Sequence, residues 1–355
     1  MSVKKKWLKN YVDRWLLLIY LSLLTLGLNS CIEKNRARQV DRSFYYWKST
    51  VQLTAFELNR LDSLHAKTIY LKLFDVDMES STALPVPKAK LQVRDKHLFS
   101  GYHIIPTVFI TNACFQKIDS SQTILLADKI HQLIKDICEI NQLNNIDEIQ
   151  VDCDWTAGTR NKYFSLLQRI KELSNTNISA TIRLHQVKFM ATSGVPPVGR
   201  GLLMCYNMGN LKSPATKNSI IETSELKKYT ANLSSYPLPL DVALPLFEWK
   251  VLFRNNVYHG LLENIDENIF TKSFTRKNNN LTEILADTLL AGYDLKKGDL
   301  LRSEKSDANE IMAAANEINK HLDNTRMRVS FYHLDSVTLN KFTTNELEEI
   351  YNIFN

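Results

Sequence analysis

Short apolar runs alternate along the chain with longer segments whose apolar positions repeat at helical spacing. Runs of about four to eight β-branched and aromatic residues are typical of buried strands. Repeats at i, i+3, i+4 and i+7 are typical of amphipathic helices. The pattern predicts eight strands, at Phe44–Trp47, Thr68–Asp75, Ile104–Thr111, Ile149–Asp154, Ile178–Leu184, Gly201–Tyr206, Asp241–Phe247 and Arg328–Leu334.

The segments between these runs predict helices. Residues 130–137 place three isoleucines and a leucine on one helical face. Capping boxes, in which a threonine is followed three residues later by a glutamate, predict helix starts after Thr54 and Thr343. Further helices are expected over residues 164–173, 224–233 and 311–322.

Strand and helix alternate until eight strands are used, which favours an α/β fold with a parallel sheet and helices outside. Eight such units predict a closed (β/α)8 barrel, for which ~250 residues is typical. Residues 249–303 lie between the seventh and eighth strands and contain hairpin-like patterns, so we expect an insertion there. A doubly wound open sheet is the alternative, but its glycine-rich phosphate-binding fingerprints are missing from the sequence.

The N-terminal segment has the pattern of a secretory signal. Several lysines precede the uncharged apolar run 15–28, and Leu28-Asn29-Ser30-Cys31 follows. This end resembles the lipobox of bacterial lipoproteins, in which Cys31 would carry the lipid. We therefore expect a signal peptide over 1–30, a lipidated linker over 31–43 and the barrel over 44–355. An uncleaved membrane anchor is the alternative, although the run is shorter than the ~20 residues a spanning helix needs.

The formal net charge of the whole chain is +6. Residues 1–30 carry five basic side chains and one acidic side chain, so the charge without them is +2. The basic character therefore gives no support for a nucleic-acid partner. The expected partners are a membrane, through lipid on Cys31, and a glycan. The expected location is the bacterial cell envelope, at the outer membrane, with the periplasmic face preferred because no acidic run follows Cys31.

Polar and aromatic residues follow the predicted strands, where a barrel builds its active site. Asp152 and Asp154 alternate with apolar residues, so both carboxylates face one way. Buried paired acids are costly without a role or a partner, and Arg183 on the adjacent strand could neutralise them. Carboxylates at the strand ends can hydrogen-bond sugar hydroxyls, and aromatic side chains can cover the apolar faces of sugar rings, so this composition favours a carbohydrate ligand. The predicted catalytic pair is Asp154 and Glu248, and the predicted ligand-binding residues are Asp152, Tyr206, Asp77, Trp47, Trp155, Trp249, Arg183 and Asp335.

The segments "VDCDW", "MCYN" and "LPLFEW", followed by the insertion, resemble the barrel of family 18 glycosidases, the chitinase-like enzymes. That family carries Asp-x-x-Asp-x-Asp-x-Glu on its fourth strand. Its last two aspartates fall on Asp152 and Asp154, its first on Ile149 and its catalytic glutamate on Thr156. The resemblance implies that Asp154 orients the substrate's acetamido group and that Tyr206 helps to hold it. Threonine is too weak an acid to replace the glutamate.

A second resemblance covers most of the chain after Cys31. "YYWKST", "TIYLKLFDVD", "IIPTVFITN" and "ISATIRLHQV" are similar to a group of uncharacterised lipoproteins from Bacteroides-type bacteria. The resemblance implies the same barrel fold and the same location at the cell envelope, and it implies no reaction.

Three functions are compatible with these residues. The first is an envelope lipoprotein whose barrel binds a glycan, or hydrolyses it with a carboxyl pair roughly 5–9.5 Å apart, such as Asp154 with Glu248 or Asp77 with Asp154. The second is a catalytically inactive scaffold or partner-binding lipoprotein. The third is metal-dependent hydrolysis, which lacks a His-x-His or His-Glu-x-x-His spacing; its candidate residues are Asp75, Asp77, His185 and His333. We expect no metal and no cofactor.

Overall fold

The computed structural model describes residues 38–355, except 264, 266–268 and 271–274. The predicted signal peptide, Cys31 and almost all of the predicted linker lie outside the described residues. Within the described part of the chain, no helix is both long enough and apolar enough to span a membrane.

Eight parallel strands form a closed barrel. Each strand pairs with its neighbours in sequence, and the first pairs with both the second and the eighth, which closes the ring. The predicted (β/α)8 fold is confirmed, and the open-sheet alternative is wrong. The barrel strands are, in order, Gln39–Tyr46, Thr68–Glu79, His103–Ile110, Glu148–Asp152, Asn177–Arg183, Arg200–Met204, Leu240–Pro245 and Arg326–Tyr332.

Two barrel strands are longer than their apolar patterns predict. The first begins at Gln39 rather than Phe44, because its polar start pairs in parallel with the eighth strand from Arg326 onward. The second continues to Glu79 and pairs there with an antiparallel strand, Leu84–Lys88. A short parallel pair, Thr50–Val51 with Gln92–Val93, lies outside the barrel sheet.

Helices follow most of the barrel strands. Both predicted capping boxes, at Thr54 and Thr343, are present, because the threonine hydroxyl and the glutamate carboxylate bond reciprocally to backbone N–H groups. The predicted helix 224–233 is instead two short pieces, Thr223–Leu226 and the 3-10 turn Thr230–Ser235, because few of its residues are buried. The other helices are Ala55–Ser63, Asn112–Lys117, Ser120–Ile140, Arg160–Ser174, Leu184–Lys188, Met190–Ser193, Ala308–Asn319, Ser336–Leu339 and Thr344–Asn352.

The chain between the seventh and eighth strands folds into a separate antiparallel sheet, which we call the insertion sheet. Asn255 and Asn256 form its first tight turn, with φ of 53° and 60°. The sheet has its own small core, which includes Leu252, Leu262 and Leu301. Its strand order is Val257–Glu263, Glu248–Arg254, Leu300–Lys305, Leu281–Ile284 and Thr275–Asn278, beside a ribbon of Thr288–Leu290 and Tyr293–Leu295.

Ion pairs occupy the N-terminal end of the barrel. Arg328 Nη1 lies 2.7 Å from Glu148 Oε2, and Arg200 Nη1 lies 2.6 Å from Asp241 Oδ1. The same Asp241 oxygen accepts the backbone N–H of Arg328 at 2.7 Å. Two cations and two carboxylates from the fourth, sixth, seventh and eighth strands therefore balance each other, at the end of a barrel where such groups support stability.

Candidate ligand-binding cleft

A cleft of about 710 Å³ opens at the C-terminal ends of the barrel strands, beside the insertion sheet. Acidic, basic and aromatic side chains line it together, which is the composition expected of a site for a small polar ligand. The lining residues are Trp47, Phe109, Asp152, Asp154, Arg183, Met204, Tyr206, Asn207, Phe247, Glu248, Trp249, Glu263, Ile265, Tyr332, His333, Val337, Thr338 and Lys341.

Asp154 is held by the arginine of the neighbouring strand. Arg183 ends the fifth strand, and its Nε lies 2.5 Å from Asp154 Oδ1 while its Nη2 lies 3.0 Å from Oδ2. This two-point geometry fixes the carboxylate plane. The side chain of Asp154 is nevertheless 50 % exposed, so a ligand in the cleft can reach it.

Asp152 has a different environment from Asp154. It is 3 % exposed, and the Thr181 hydroxyl donates a 2.6 Å hydrogen bond to its Oδ1. Burial raises the pKa of Asp152 to about 6, with Arg183 opposing the shift and Asp154 adding to it. Among the residues that the structure describes, Asp154 thus has an ion-pair partner at hydrogen-bond distance and Asp152 has none.

Three buried polar atoms of the cleft lack hydrogen-bond partners among the described residues. They are Nη1 of Arg183, the hydroxyl of Tyr206 and Nδ1 of His333, and the guanidinium and the phenol are donors. Burial raises the pKa of Tyr206 well above its usual value, so the phenol stays neutral and can donate. Unpaired buried donors are costly in a folded protein. A ligand that presents an acceptor oxygen to both groups would remove that cost.

Aromatic rings form a continuous row along one wall of the cleft. Trp47 and Tyr332 have ring centroids 5.7 Å apart, and Tyr332 lies 5.8 Å from Phe247. Phe247 in turn lies 5.2 Å from Trp249. The row joins the ends of the first, eighth and seventh strands, and it offers apolar faces beside the acids.

Trp249 is anchored from behind by Glu304 of the insertion sheet. The indole Nε1 donates to Glu304 Oε2 at 2.7 Å, and the Ser219 hydroxyl donates to the same oxygen at 2.5 Å. The other oxygen, Oε1, accepts from buried Arg302 at 2.6 Å. The insertion sheet therefore fixes one wall of a cleft whose floor belongs to the barrel.

The structure brings together most of the predicted site residues. Trp47, Asp152, Asp154, Arg183, Tyr206, Glu248 and Trp249 all line the cleft. Glu248 forms a 2.5 Å ion pair with Lys341, which lies far away in sequence. The sequence left open that Arg183 neutralises the two acids near the end of the fourth strand. In the structure Arg183 forms an ion pair with Asp154.

Trp155 does not line the cleft, which corrects its prediction as a ligand-binding residue. The indole is 1 % exposed and stacks on Tyr163 of the following helix, with centroids 5.1 Å apart. Its Nε1 donates to the Ser193 carbonyl at 2.9 Å. The residue directly after Asp154 faces away from the barrel interior and packs against the helix layer.

Asp335 and Asp77 also lie outside the cleft lining. Asp335 caps the helix Ser336–Leu339 through backbone N–H groups and pairs with Lys48. Asp77 accepts from the Thr111 hydroxyl at 2.8 Å, because the second strand continues past the rim. These contacts replace the predicted ligand-binding roles, and they disfavour a catalytic pair of Asp77 with Asp154.

The position matched to the family 18 glutamate carries no acid and lies outside the cleft lining. Thr156 is exposed, and its hydroxyl lies 3.2 Å from the Thr159 hydroxyl. No group of three or more acidic, histidine or cysteine side chains among the described residues is arranged to hold a metal ion. Asp75, a candidate for the metal-dependent alternative, lies 3.0 Å from Lys72 Nζ.

Among the cleft residues outside the predicted set are Phe247, Tyr332 and Lys341. Phe247 and Tyr332 lie at the ends of predicted strands, next to residues that the rim analysis did include. Their position at strand ends could therefore have identified both residues as cleft residues from the sequence. Lys341 follows a short helix beyond the eighth strand, and only the folded chain places it beside Glu248.

The solved structures that this chain resembles are chitinase-like barrels. The spore cortex-lytic enzyme SleL of Bacillus cereus aligns with a TM-score of 0.54 and 14 % identity, over 90 % of this chain and 76 % of that one. SleL of Bacillus megaterium aligns at 0.53 and 11 %, over 90 % and 75 %. A chitinase of Chromobacterium violaceum aligns at 0.50 and 11 %, over 89 % and 98 %.

The TM-scores and coverages establish a shared fold at these low identities. The predicted likeness to family 18 barrels is therefore confirmed for the fold. No family model matches the sequence, and no curated protein matches it.

Proposed function

We propose that the cleft binds a glycan and does not hydrolyse it, either by the family 18 route or with a pair of its own carboxyl groups. The observation that carries the proposal is the half-exposed Asp154, held by Arg183 beside the unpaired donors and the aromatic row. A sugar presents hydroxyl and carbonyl oxygens together with apolar ring faces, and both kinds of partner line this one cleft.

The acids of the cleft are poorly arranged for glycoside cleavage. A glycosidase needs one protonated carboxyl group and a second carboxylate across the scissile bond. The predicted catalytic residues, Asp154 and Glu248, are each engaged with a cation, Arg183 and Lys341 respectively. Asp152 has a raised pKa, but its side chain is almost fully buried. Thr156 offers no acid. These features favour binding over turnover.

The chemistry of the structural neighbours suggests the first glycan to test. Two are named as spore cortex-lytic enzymes and one as a chitinase. Chitin oligosaccharides carry acetamido oxygens that could accept from Arg183 and Tyr206. The signal pattern that ends at Cys31 supports the further proposal that lipid holds this glycan-binding barrel at the cell envelope.

Titration of the purified protein with chitin oligosaccharides and with a glycan array tests the proposal. Asp154→Asn should weaken binding by about 10- to 150-fold, because a hydrogen bond to a charged group contributes roughly 1.5–3 kcal/mol. Asp77→Asn is the matched control, since it makes the same change outside the cleft, and its affinity should equal that of the wild type.

Two results would contradict the proposal. One is an Asp154→Asn variant that binds every glycan as tightly as the wild type, which would favour the scaffold alternative. The other is release of shorter sugars by the wild type that is lost in Glu248→Gln, which would identify a hydrolase.

A further inference from the structure

We infer that the favoured ligand of the cleft is a glycan with free amino groups, and that an ammonium group of its sugar chain binds beside Glu263 and the aromatic row. The inference rests on the proposed function and specifies its substrate class. A neutral chitin oligosaccharide would still bind, and a chain in which amines replace some of the acetamido groups would bind more tightly.

Acidic side chains outnumber cationic ones in the cleft. Among its described lining residues the acids are Asp152, Asp154, Glu248 and Glu263, and the cations are Arg183 and Lys341. Arg183 is paired with Asp154, and Lys341 is paired with Glu248. Within the part of the chain that the structure describes, Asp152 and Glu263 therefore have no cationic partner. The potential of such a cleft favours a positively charged ligand.

His333 does not restore the balance of charge. Its side chain lines the cleft, and burial lowers the pKa of the imidazole, with Asp335 opposing the shift. The imidazole is therefore neutral at neutral pH. Asp152, with a pKa of about 6, is mostly ionised there, so the excess of negative charge remains.

Glu263 places one of the two unpaired carboxylates next to the aromatic row. It ends the strand Val257–Glu263 and pairs across the insertion sheet with Trp249. Directly paired residues of antiparallel strands share a face of the sheet, with Cβ atoms roughly 4.5–5.5 Å apart, and both of these residues line the cleft. Glu263 is exposed, so a ligand can reach its carboxylate from the cleft.

Tyr332 connects the two unpaired carboxylates to the centre of the row. Burial raises the pKa of Tyr332, and the negative charges of Asp152 and Glu263 add to the shift, so both carboxylates lie near this ring. Its centroid lies 5.8 Å from that of Phe247. Aromatic faces attract a cation within about 6 Å of the ring centroid. Ring faces and uncompensated negative charge therefore occur together, and this combination favours an ammonium group.

The hydroxyl of Tyr206 independently indicates a polar ligand at this place. The side chain is 4 % exposed and lines the cleft, and its hydroxyl has no hydrogen-bond partner among the residues described. Its ring centroid lies 5.4 Å from that of Tyr332. A phenol can accept a hydrogen bond as well as donate one. It can therefore bond to an amine or to a hydroxyl of the same sugar chain.

Paired probes test this inference. The affinity of a chitin oligosaccharide is compared with that of its partly de-N-acetylated counterpart of equal length, at a pH slightly above 6, where the amines are largely protonated and Asp152 is more than half ionised. We expect the amine-bearing probe to bind about five- to tenfold more tightly at low salt, because it gains both an ion pair and aromatic faces. This advantage should shrink as salt rises.

Glu263→Gln removes one of the unpaired carboxylates and keeps the size of the side chain. The ratio of the two affinities should fall by about two- to fivefold, which is the range for an exposed ion pair. Glu283→Gln is the matched control, because Glu283 belongs to the same insertion sheet and does not line the cleft. This variant should keep the ratio of the wild type.

Four results would contradict the inference. Equal affinity of the wild type for the two probes would overturn the preference for amines and leave glycan binding intact. A wild type that binds neither probe would overturn the proposed function and this inference with it. An unchanged ratio in Glu263→Gln would overturn the assignment of Glu263. An equal fall of the ratio in Glu283→Gln would show that the overall charge of the insertion, and not the cleft, attracts the amine.

Discussion

The two ends of the barrel hold buried charge in different ways. At the N-terminal end, Arg200 and Arg328 match Asp241 and Glu148, two cations for two carboxylates. At the C-terminal end, the two acids of the fourth strand share one guanidinium. Arg183 bonds to Asp154, while buried Asp152 accepts, among the described residues, from a threonine hydroxyl and from no cation.

This difference separates charges that stabilise the fold from charges that are placed to bind a ligand. A balanced network adds stability only while every member is present, because removing one partner leaves an uncompensated buried charge. An unbalanced cluster with unpaired donors lies in a cleft where a ligand can complete it, and perturbed groups of this kind concentrate at functional sites. The fold therefore pairs its buried arginines and carboxylates at the N-terminal end, and at the C-terminal end it leaves two acids beside one guanidinium.

The largest expected effect comes from breaking the balanced end. Asp241→Ala should lower the free energy of unfolding by about 3–5 kcal/mol, because it leaves Arg200 without its carboxylate and the backbone N–H of Arg328 without its acceptor. Denaturant unfolding measures this loss. Asp62→Ala is the control, since its pair with Lys67 is more than half exposed on both sides, and it should cost less than about 1 kcal/mol. Equal losses in the two variants would remove the contrast.

A pH series tests the unbalanced end. The pKa of Asp152 is about 6 in the folded protein, against roughly 3.9 in an unfolded chain. Between these values the folded state keeps a proton that the unfolded state has released. The contribution of Asp152 is therefore fully present below about pH 4 and is lost as the pH rises through about 6.

Asp152→Asn should remove the Asp152 part of this dependence, because the amide does not ionise while its oxygen can still accept from Thr181. Burial also raises the pKa of Asp241 to about 6, so the variant keeps a shallower slope than the wild type. At pH 8 the variant should be more stable than the wild type by up to about 3 kcal/mol, since each pKa unit corresponds to roughly 1.4 kcal/mol. Unfolding free energies measured from pH 4 to pH 8 show the effect. A variant with the same downward slope as the wild type would place the titrating group elsewhere.

The smallest expected effect concerns the wall of the cleft. Trp249→Phe keeps an aromatic ring but loses the N–H bond to Glu304. We expect chitin-oligosaccharide binding to weaken by about three- to tenfold, because the smaller ring is no longer anchored to Glu304 and offers less apolar face to a sugar, a change of roughly 1 kcal/mol. Trp155→Phe makes the same change outside the cleft and should leave the affinity unchanged. Equal weakening in both variants would mean that the loss comes from the fold and not from the wall.

Local patterns accounted for much of the fold and for part of the cleft. The capping boxes at Thr54 and Thr343 join groups three residues apart, so the sequence contains both partners. The common direction of Asp152 and Asp154 follows from strand alternation. Trp155 and Asp335 were misassigned because a position next to a strand end does not reveal whether a helix packs over the side chain or whether the side chain caps a helix.

The sequence by itself determined the periodicities, and with them the number and order of the barrel strands, because side-chain spacing within one element is a local property. Tertiary structure decided which charges meet. Ring closure puts the ends of distant strands side by side, so Glu248 meets Lys341. Strand pairing within the insertion sheet puts Trp249 opposite Glu304. Such contacts depend on register and on the direction of each side chain, and both are set only when the whole chain packs.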